Sequence, residues 1–257
     1  MSKVKISAAI ICMNEENNIA RCIESLSWAD EVVVLDSGSS DRTLEIAKSL
    51  GAKCFSEKWR GFCDQKNRLS ELCENDWIFN LDADEACAPD LAEKIQELLA
   101  EERDDSCAYE FPRKTYHLGK WIAHGGWYPD YQRRLYNKKH SQWQGGALHE
   151  KVEAKKVKRA DVQIYHWVFK DLTEQVSANN RYSSLGAEKF IKDGKSFSWF
   201  LFLTKPISKF LETYIFKLGF LDGVAGFVIS VGAAYSIFLK FAKVYYLEKA
   251  NKEKKIS

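Results

Sequence analysis

Trp77-Ile-Phe-Asn-Leu-Asp-Ala-Asp-Glu85 reads as a buried strand that ends in carboxylates. Trp77 to Leu81 has the length and apolar content of a covered strand. Asp82 and Asp84, two residues apart in an extended turn, point to one side. Such a pair holds a hard divalent ion through oxygen and leaves its other positions to water and phosphate. Two neighbouring acidic residues more often form a plain solvated turn, so their place in the chain has to decide.

Upstream, Ile6 to Cys12 and Glu31 to Leu35 are further apolar runs, and Ala52 to Phe55 is a third. Asn14 is placed as a helix N-cap ahead of Ile19, Cys22, Ile23 and Leu26 at helical spacing. A second helix passes Leu44, Ala47 and Leu50 and stops at Gly51. A third covers Phe62 to Cys73, and Pro89 opens a fourth that runs to about Glu101. This alternation predicts βαβ units, an α/β fold with a mixed, mostly parallel sheet and helices on both faces. Asn14-Glu15, Asp36 to Asp41 and Asp82 to Glu85 all follow strand ends, where such sheets bind ligands, so they converge on one rim.

Beyond Cys107 the pattern turns to extended aromatic segments at 108–118, 131–136 and 162–167, read as mixed or antiparallel strands. From Leu172 the chain is helical. Gly223 to Leu239 carries no charge, at the lower limit for a bilayer span of about 20 residues. Lys205, Lys209 and Lys217 precede it; Lys240, Lys243, Lys249, Lys252, Lys254 and Lys255 follow. Basic flanks on apolar helices suit an anionic membrane surface, and a monotopic interfacial helix pair is expected. A buried hairpin, a homo-oligomer through these helices, or a true span are the alternatives.

The 257 residues carry a net charge of only +2, which gives no support to a nucleic-acid partner. The seven cysteines show neither zinc nor redox spacing and read as reduced thiols. Residues 1–7 lead straight into a strand with no signal-peptide core, so a cytoplasmic protein, peripheral on the inner membrane face, is expected.

Three segments together resemble the family 2 glycosyltransferases of GT-A fold. They are Ile10-Ile-Cys-Met-Asn-Glu-Glu-Asn17, Val33-Val-Leu-Asp-Ser-Gly-Ser-Ser-Asp-Arg-Thr43 and Asn80-Leu-Asp-Ala-Asp-Glu85. Over most of the chain the sequence also resembles lipopolysaccharide inner-core β-glucosyltransferases. That likeness rests on Gln65-Lys-Asn67, Gly125-Gly-Trp-Tyr-Pro129, Gln132-Arg-Arg-Leu-Tyr136, His149-Glu150 and Gly219-Phe-Leu-Asp-Gly223.

The resemblance implies an inverting transfer of a hexose, glucose by analogy, from a UDP-sugar to a lipopolysaccharide or lipooligosaccharide core acceptor. It implies a Rossmann-like catalytic domain over 1–170, with 1–106 binding the nucleotide sugar and 107–170 on the acceptor side, and a helical region over 171–257. Cys12, Asn14 and Glu15 would wall the nucleoside. Asp36, with Ser37, would meet the base, and Lys66 the base or diphosphate. Asp82 would contact ribose and metal, and Asp84 would be the principal ligand of Mg2+ or Mn2+, with His166 completing the site.

Arg133 and Arg134 face opposite ways on a strand, so one of them, assigned as Arg134, would clamp the donor diphosphate or an acceptor phosphate while the other is structural. Glu150 is the candidate base for the acceptor hydroxyl, with Asp130 and Glu85 in reserve. Glu150 departs from the family's commoner Glu-Asp pair; the plain alternative is a salt bridge to Arg133 or Arg134. Trp127, Tyr128 and Asp130 are candidate acceptor contacts, though such aromatics also build cores. Asp41 reads equally as a helix cap.

Three other functions compete. A polyprenyl phosphate or another glycolipid would also suit the apolar C-terminus as acceptor. A catalytically silent sugar-nucleotide-binding module would be expected to lack the Asp82/Asp84 pair. A dehydrogenase is disfavoured because Cys12-Met-Asn-Glu-Glu16 stands where a glycine-rich phosphate loop belongs.

Overall fold

The first strand, β1 (Ile6–Cys12), is buried along its whole length. Ile6, Ala8, Ile10 and Cys12 enter one apolar cluster while Ala9 and Ile11 enter another, as strand alternation requires. A strand apolar on both faces belongs in a sheet covered on both sides. The computed structural model describes residues 3–101, 104–145 and 150–253. His149, Lys254 and Lys255 therefore lie outside the described residues.

The sheet runs β3 (Lys53–Ser56), β2 (Glu31–Asp36), β1, β4 (Trp77–Asp82), all parallel. It continues through β8 (Asp130–Asn137) and β6 (Cys107–His117), each antiparallel to its predecessor. Then come β12 (Ile164–Trp167) and β5 (Glu85–Cys87), an antiparallel pair, while β11 (Lys156–Arg159) lies parallel on β6. Helices α1 (Ile19–Glu24), α2 (Thr43–Ser49) and α4 (Leu91–Glu101) supply Ile19, Cys22, Ala47, Leu91 and Ile95 to the first cluster. Helix α3 (Phe62–Leu72) supplies Leu69 to the second. This is the α/β class read from the sequence.

Strand β1 pairs with β2 on one side and β4 on the other, so strand order reverses there and the carboxyl ends of the three open a crevice. Asn14 is not the helix cap expected: it has φ 57°, and Asn18 precedes α1. Its side-chain oxygen instead accepts the Ser40 N–H at 2.8 Å, tying the loop after β1 to the loop after β2. The hairpin of β9 (Gln142–Gln144) and β10 (Lys151–Glu153) was not foreseen, because three-residue strands show no periodicity.

The chain divides into two units, Met1–Lys114 with Pro129–Trp167, and Thr115–Tyr128 with Val168–Ser257. In the second, the end of β6 pairs with β7 (Lys120–Trp121). Helices α5 (Leu172–Lys192), α6 (Trp199–Leu211) and α7 (Gly223–Glu253) follow. A π-helical turn, Glu212–Phe216, and a 3-10 turn, Gly219–Asp222, join α6 to α7. Helix α6 has no buried residue. By length and composition Gly219–Asn251 is long and apolar enough to cross a membrane, and 28% of its most apolar window is buried within the protein.

Candidate active site

A chain of alternating charges runs past the end of β4. Lys66 Nζ lies 2.9 Å from Asp82 Oδ1, and Arg134 Nη2 lies 2.6 Å from Asp82 Oδ2 and 2.5 Å from Glu85 Oε1. Arg113 then bridges Glu85 Oε1 at 2.9 Å and Asp130 Oδ2 at 2.6 Å. Lys66, Arg134 and Glu85 are buried. Burying charges is costly unless they are paired and hydrogen-bonded, and here three cations alternate with three carboxylates. Glu85 Oε2 also accepts the Asp82 N–H at 3.1 Å.

Strand parity sorts the two arginines of β8. Arg134 enters the charge chain, while Arg133 donates to the Val152 carbonyl at 2.6 Å and approaches Glu110 at 4.0 Å. Glu150 therefore pairs with neither among the described residues. Burial alone would raise the Asp82 carboxyl, but Arg134 and Lys66 override it and hold it well below the usual carboxylate range. Burial would likewise lower the Arg134 pKa, and Asp82 and Glu85 raise it instead.

Asp84 stays outside this chain. Its Oδ2 is 3.3 Å from His166 Nε2. The β5–β12 register sets His166 opposite Glu85, and Trp167 N–H donates to the Asp84 carbonyl at 3.0 Å, so the end of β12 is fixed against the acidic turn. Among the described residues no three His, Cys, Asp or Glu side chains gather as a cation cage. Two protein ligands are nonetheless a fitting set for an ion that shares substrate phosphate oxygens. Asp82, read as a second carboxylate ligand, has both oxygens engaged by Lys66 and Arg134.

The rim loops are laced together. The buried Asp36 carboxylate accepts Gly38 N–H at 3.0 Å, Ser39 N–H at 3.0 Å and the Ser39 hydroxyl, and the Cys12 thiol stands 3.7 Å away. Burial and the Asp36 charge push the Cys12 thiol up. Asn14 N–H donates to Ser39 Oγ and Glu15 N–H to Thr43 Oγ1, both at 2.8 Å. Asp41 accepts Thr43 N–H at 3.0 Å and Glu16 N–H at 3.1 Å, turn work rather than a cap, since Arg42 holds the N-cap position of α2.

Each residue of Gln65-Lys-Asn67 has its own task. Gln65 Nε2 donates to Ser37 Oγ at 3.3 Å, and Lys66 reaches Asp82 while standing 4.3 Å from the Trp143 ring centre. Asn67 pairs with both the N–H and the carbonyl of Trp143, at 2.8 and 2.9 Å. Glu150 lies close enough to Cys63 for its charge, after burial, to raise that thiol pKa. Cys63 is one turn of α3 from Lys66. Trp127 and Tyr128 belong to the second unit, where Trp127 stacks on His117 at 5.6 Å.

Sequence reasoning passed over two cations. Arg113 closes the charge chain, and Arg21 lies 3.6 Å from the Trp167 ring centre with its Nε buried and unpartnered among the described residues. Neither stood in a recognisable motif; strand parity within β6 was the one available signal for Arg113.

The carboxyl ends of the parallel strands, an acidic turn at the end of β4 and a chain of three cations paired with three carboxylates thus lie along one rim. Residues 7–162 match the profile of glycosyl transferase family 2, and the chain belongs to that family. It is 34% identical over 253 residues to an uncharacterized glycosyltransferase of Rickettsia typhi, covering 93% of this chain and 86% of that one. It is 32% identical over 256 residues to the lipopolysaccharide core biosynthesis glycosyltransferase LpsC of Rhizobium meliloti, covering 95% and 93%. Among solved structures, S. aureus TarS in complex with UDP is 15% identical over 70% of this chain and 65% of that one, with a TM-score of 0.47.

Proposed function

We propose that this glycosyltransferase is an inverting enzyme that moves a hexose, glucose by the family resemblance, from a UDP-sugar to a lipopolysaccharide or lipooligosaccharide core acceptor. The likeness to LpsC along nearly the whole chain supports the acceptor class. The contrast between two neighbouring carboxylates carries the donor site. Asp82 is locked between Lys66 and Arg134, whereas Asp84 is left with His166.

Asp84 and His166 would hold Mg2+ or Mn2+, which supplies charge neutralisation for the departing diphosphate. Asp82, kept ionised by its two cations, has lone pairs remaining to accept a ribose hydroxyl. Asp36 shapes the Ser37–Ser40 wall of the nucleoside pocket through the N–H groups that it gathers. Arg134 acts through Asp82 and Glu85 rather than as a free clamp. Glu150 takes the proton of the acceptor hydroxyl as its oxygen attacks the anomeric carbon and UDP leaves from the opposite face.

The same reading places the protein peripherally on the cytoplasmic membrane face. Trp199, Phe200, Leu203 and Ile207 recur along α6 at helical spacing and are all at least 60% exposed. A stripe of this kind, flanked by lysines, suits the headgroup boundary of an anionic bilayer. The test is transfer from radiolabelled UDP-glucose to vesicles carrying truncated lipooligosaccharide, beside vesicles carrying polyprenyl phosphate. Label in the saccharide fraction supports the proposal; label only in polyprenyl phosphate, or none, overturns the acceptor.

A further inference from the structure

Two motifs that the transfer chemistry leaves unused, Gly125-Gly-Trp-Tyr128 (the part of 125–129 in the helical unit) and Gly219-Phe-Leu-Asp-Gly223, come together within that unit. Asp222 is 4% exposed. Its Oδ2 accepts the main-chain N–H of Ala123 at 3.1 Å and of His124 at 2.8 Å. Its Oδ1 stands 3.3 Å from His124 Nδ1 and 3.9 Å from the Lys120 ammonium, which also donates to the Asp222 carbonyl at 3.1 Å. One residue further on, Gly125 N–H donates to the Lys217 carbonyl at 2.8 Å.

The glycines show how closely the two segments fit. A Cβ on Gly125 would meet the Thr213 carbonyl oxygen at 3.8 Å and the Gly219 Cα at 3.9 Å, ordinary van der Waals contact between the segments. Gly126, at φ 82°, has Lys217 side-chain carbon 2.8 Å from where its Cβ would be. The turn is also two-sided: Leu221 and Val224 beside Asp222 are 54% and 81% exposed. A carboxylate facing inward from so apolar a stretch is costly unless its hydrogen bonds are filled, and the 120–124 backbone fills them.

We propose that Asp222 is a positioning residue for acceptor recognition: it fixes the 120–128 loop on the apolar helices and so sets Trp127 and Tyr128 for the acceptor saccharide. The inference rests on the function proposed above and assigns it a residue 98 positions along the chain from the His124 N–H that it holds. Trp127 is preorganised from its other side by His117, whose Nε2 pairs with Gln175 at 2.9 Å. A loop shift of about 1 Å suffices to cost on the order of a hundredfold in a positioned reaction.

The test is steady-state transfer from UDP-glucose to vesicles of truncated lipooligosaccharide, with UDP binding measured separately by thermal shift in Mn2+. Asp222→Ala is expected to raise the acceptor KM about tenfold or more while the donor KM and UDP binding stay within about twofold of wild type. Asp222→Asn keeps one accepting oxygen and should fall between. Should Asp222→Ala fail to fold, Gly126→Ala displaces the loop from the other side and should show the same split. An unchanged acceptor KM in a folded variant, or donor and acceptor KM rising together, overturns the inference. Absence of UDP binding by the wild type counts against the proposed function instead.

Discussion

His166 Nε2 lies 3.3 Å from Asp84 Oδ2, although 82 residues separate them in sequence and β12 meets β5 only at the far edge of the sheet. The pairing of β12 with β5 makes this contact, and it leaves Asp84 outside the Lys66–Arg134–Arg113 charge chain, free to serve as the metal ligand in the function proposed above. Asp84→Ala is expected to lower kcat by about a hundredfold to a thousandfold or more, with the fold intact by circular dichroism. His166→Ala should raise the Mn2+ concentration needed for half-maximal activity.

Arg134 is expected to be structural before it is anything else. Arg134→Met leaves Asp82 and Glu85 with an unbalanced negative charge in a buried place, a loss of roughly 3–5 kcal/mol for a broken buried pair. Urea unfolding would measure it. A loss within experimental error would show that the charge chain does not hold the β4–β8 junction.

Glu150→Gln should leave UDP binding nearly unchanged and slow transfer by about a hundredfold or more, read as kcat at saturating donor and acceptor. Full activity in that variant would move the base role to another carboxylate, with Asp130 next in line.

Stability should fall on mild acidification through His117. Burial lowers its imidazole pKa, and the bond with Gln175 only partly opposes this. The unfolded imidazole takes a proton near pH 6.5 while the folded one resists it, so unfolding takes up a proton. The contribution is fully present above about pH 6.5 and is lost as pH drops below it. Melting curves from pH 7.5 to 5.5 should show the decline in wild type and a flatter limb in His117→Gln.

Phe200 and Leu203 are 73% and 60% exposed, so replacing both with serine should cost little stability in water. Each apolar side chain buried in lipid contributes about 1.5–3 kcal/mol, so the double variant should partition to anionic vesicles at least about tenfold more weakly. Equal vesicle binding, together with loss of a wild-type dimer in sedimentation, would assign the stripe to a second copy.

The N-terminal half of the fold was legible because β1, β2 and β4 are continuous apolar runs, each followed by polar residues at the sheet rim. The parity of Arg133 and Arg134 was legible for the same local reason. Glu85 was not: beside Asp82 and Asp84 it looks like a third rim carboxylate, yet β5 pairing buries it against Arg113 and Arg134. Asn14 misled because a helix cap and a loop tie use the same side-chain oxygen. Asp222 showed only as part of a motif, since its partners at Ala123 and His124 are set by tertiary packing that leaves no periodic trace.

The most direct test of the donor site is a thermal-shift comparison of wild type and Asp84→Ala with UDP-glucose, with and without Mn2+. Ligand at about a hundred to a thousand times Kd stabilises the folded state by about 2.7–4 kcal/mol, a readily measured rise in Tm. The account predicts a Mn2+-dependent rise in wild type that disappears in Asp84→Ala. A rise of equal size in both proteins, or none in wild type, would contradict it.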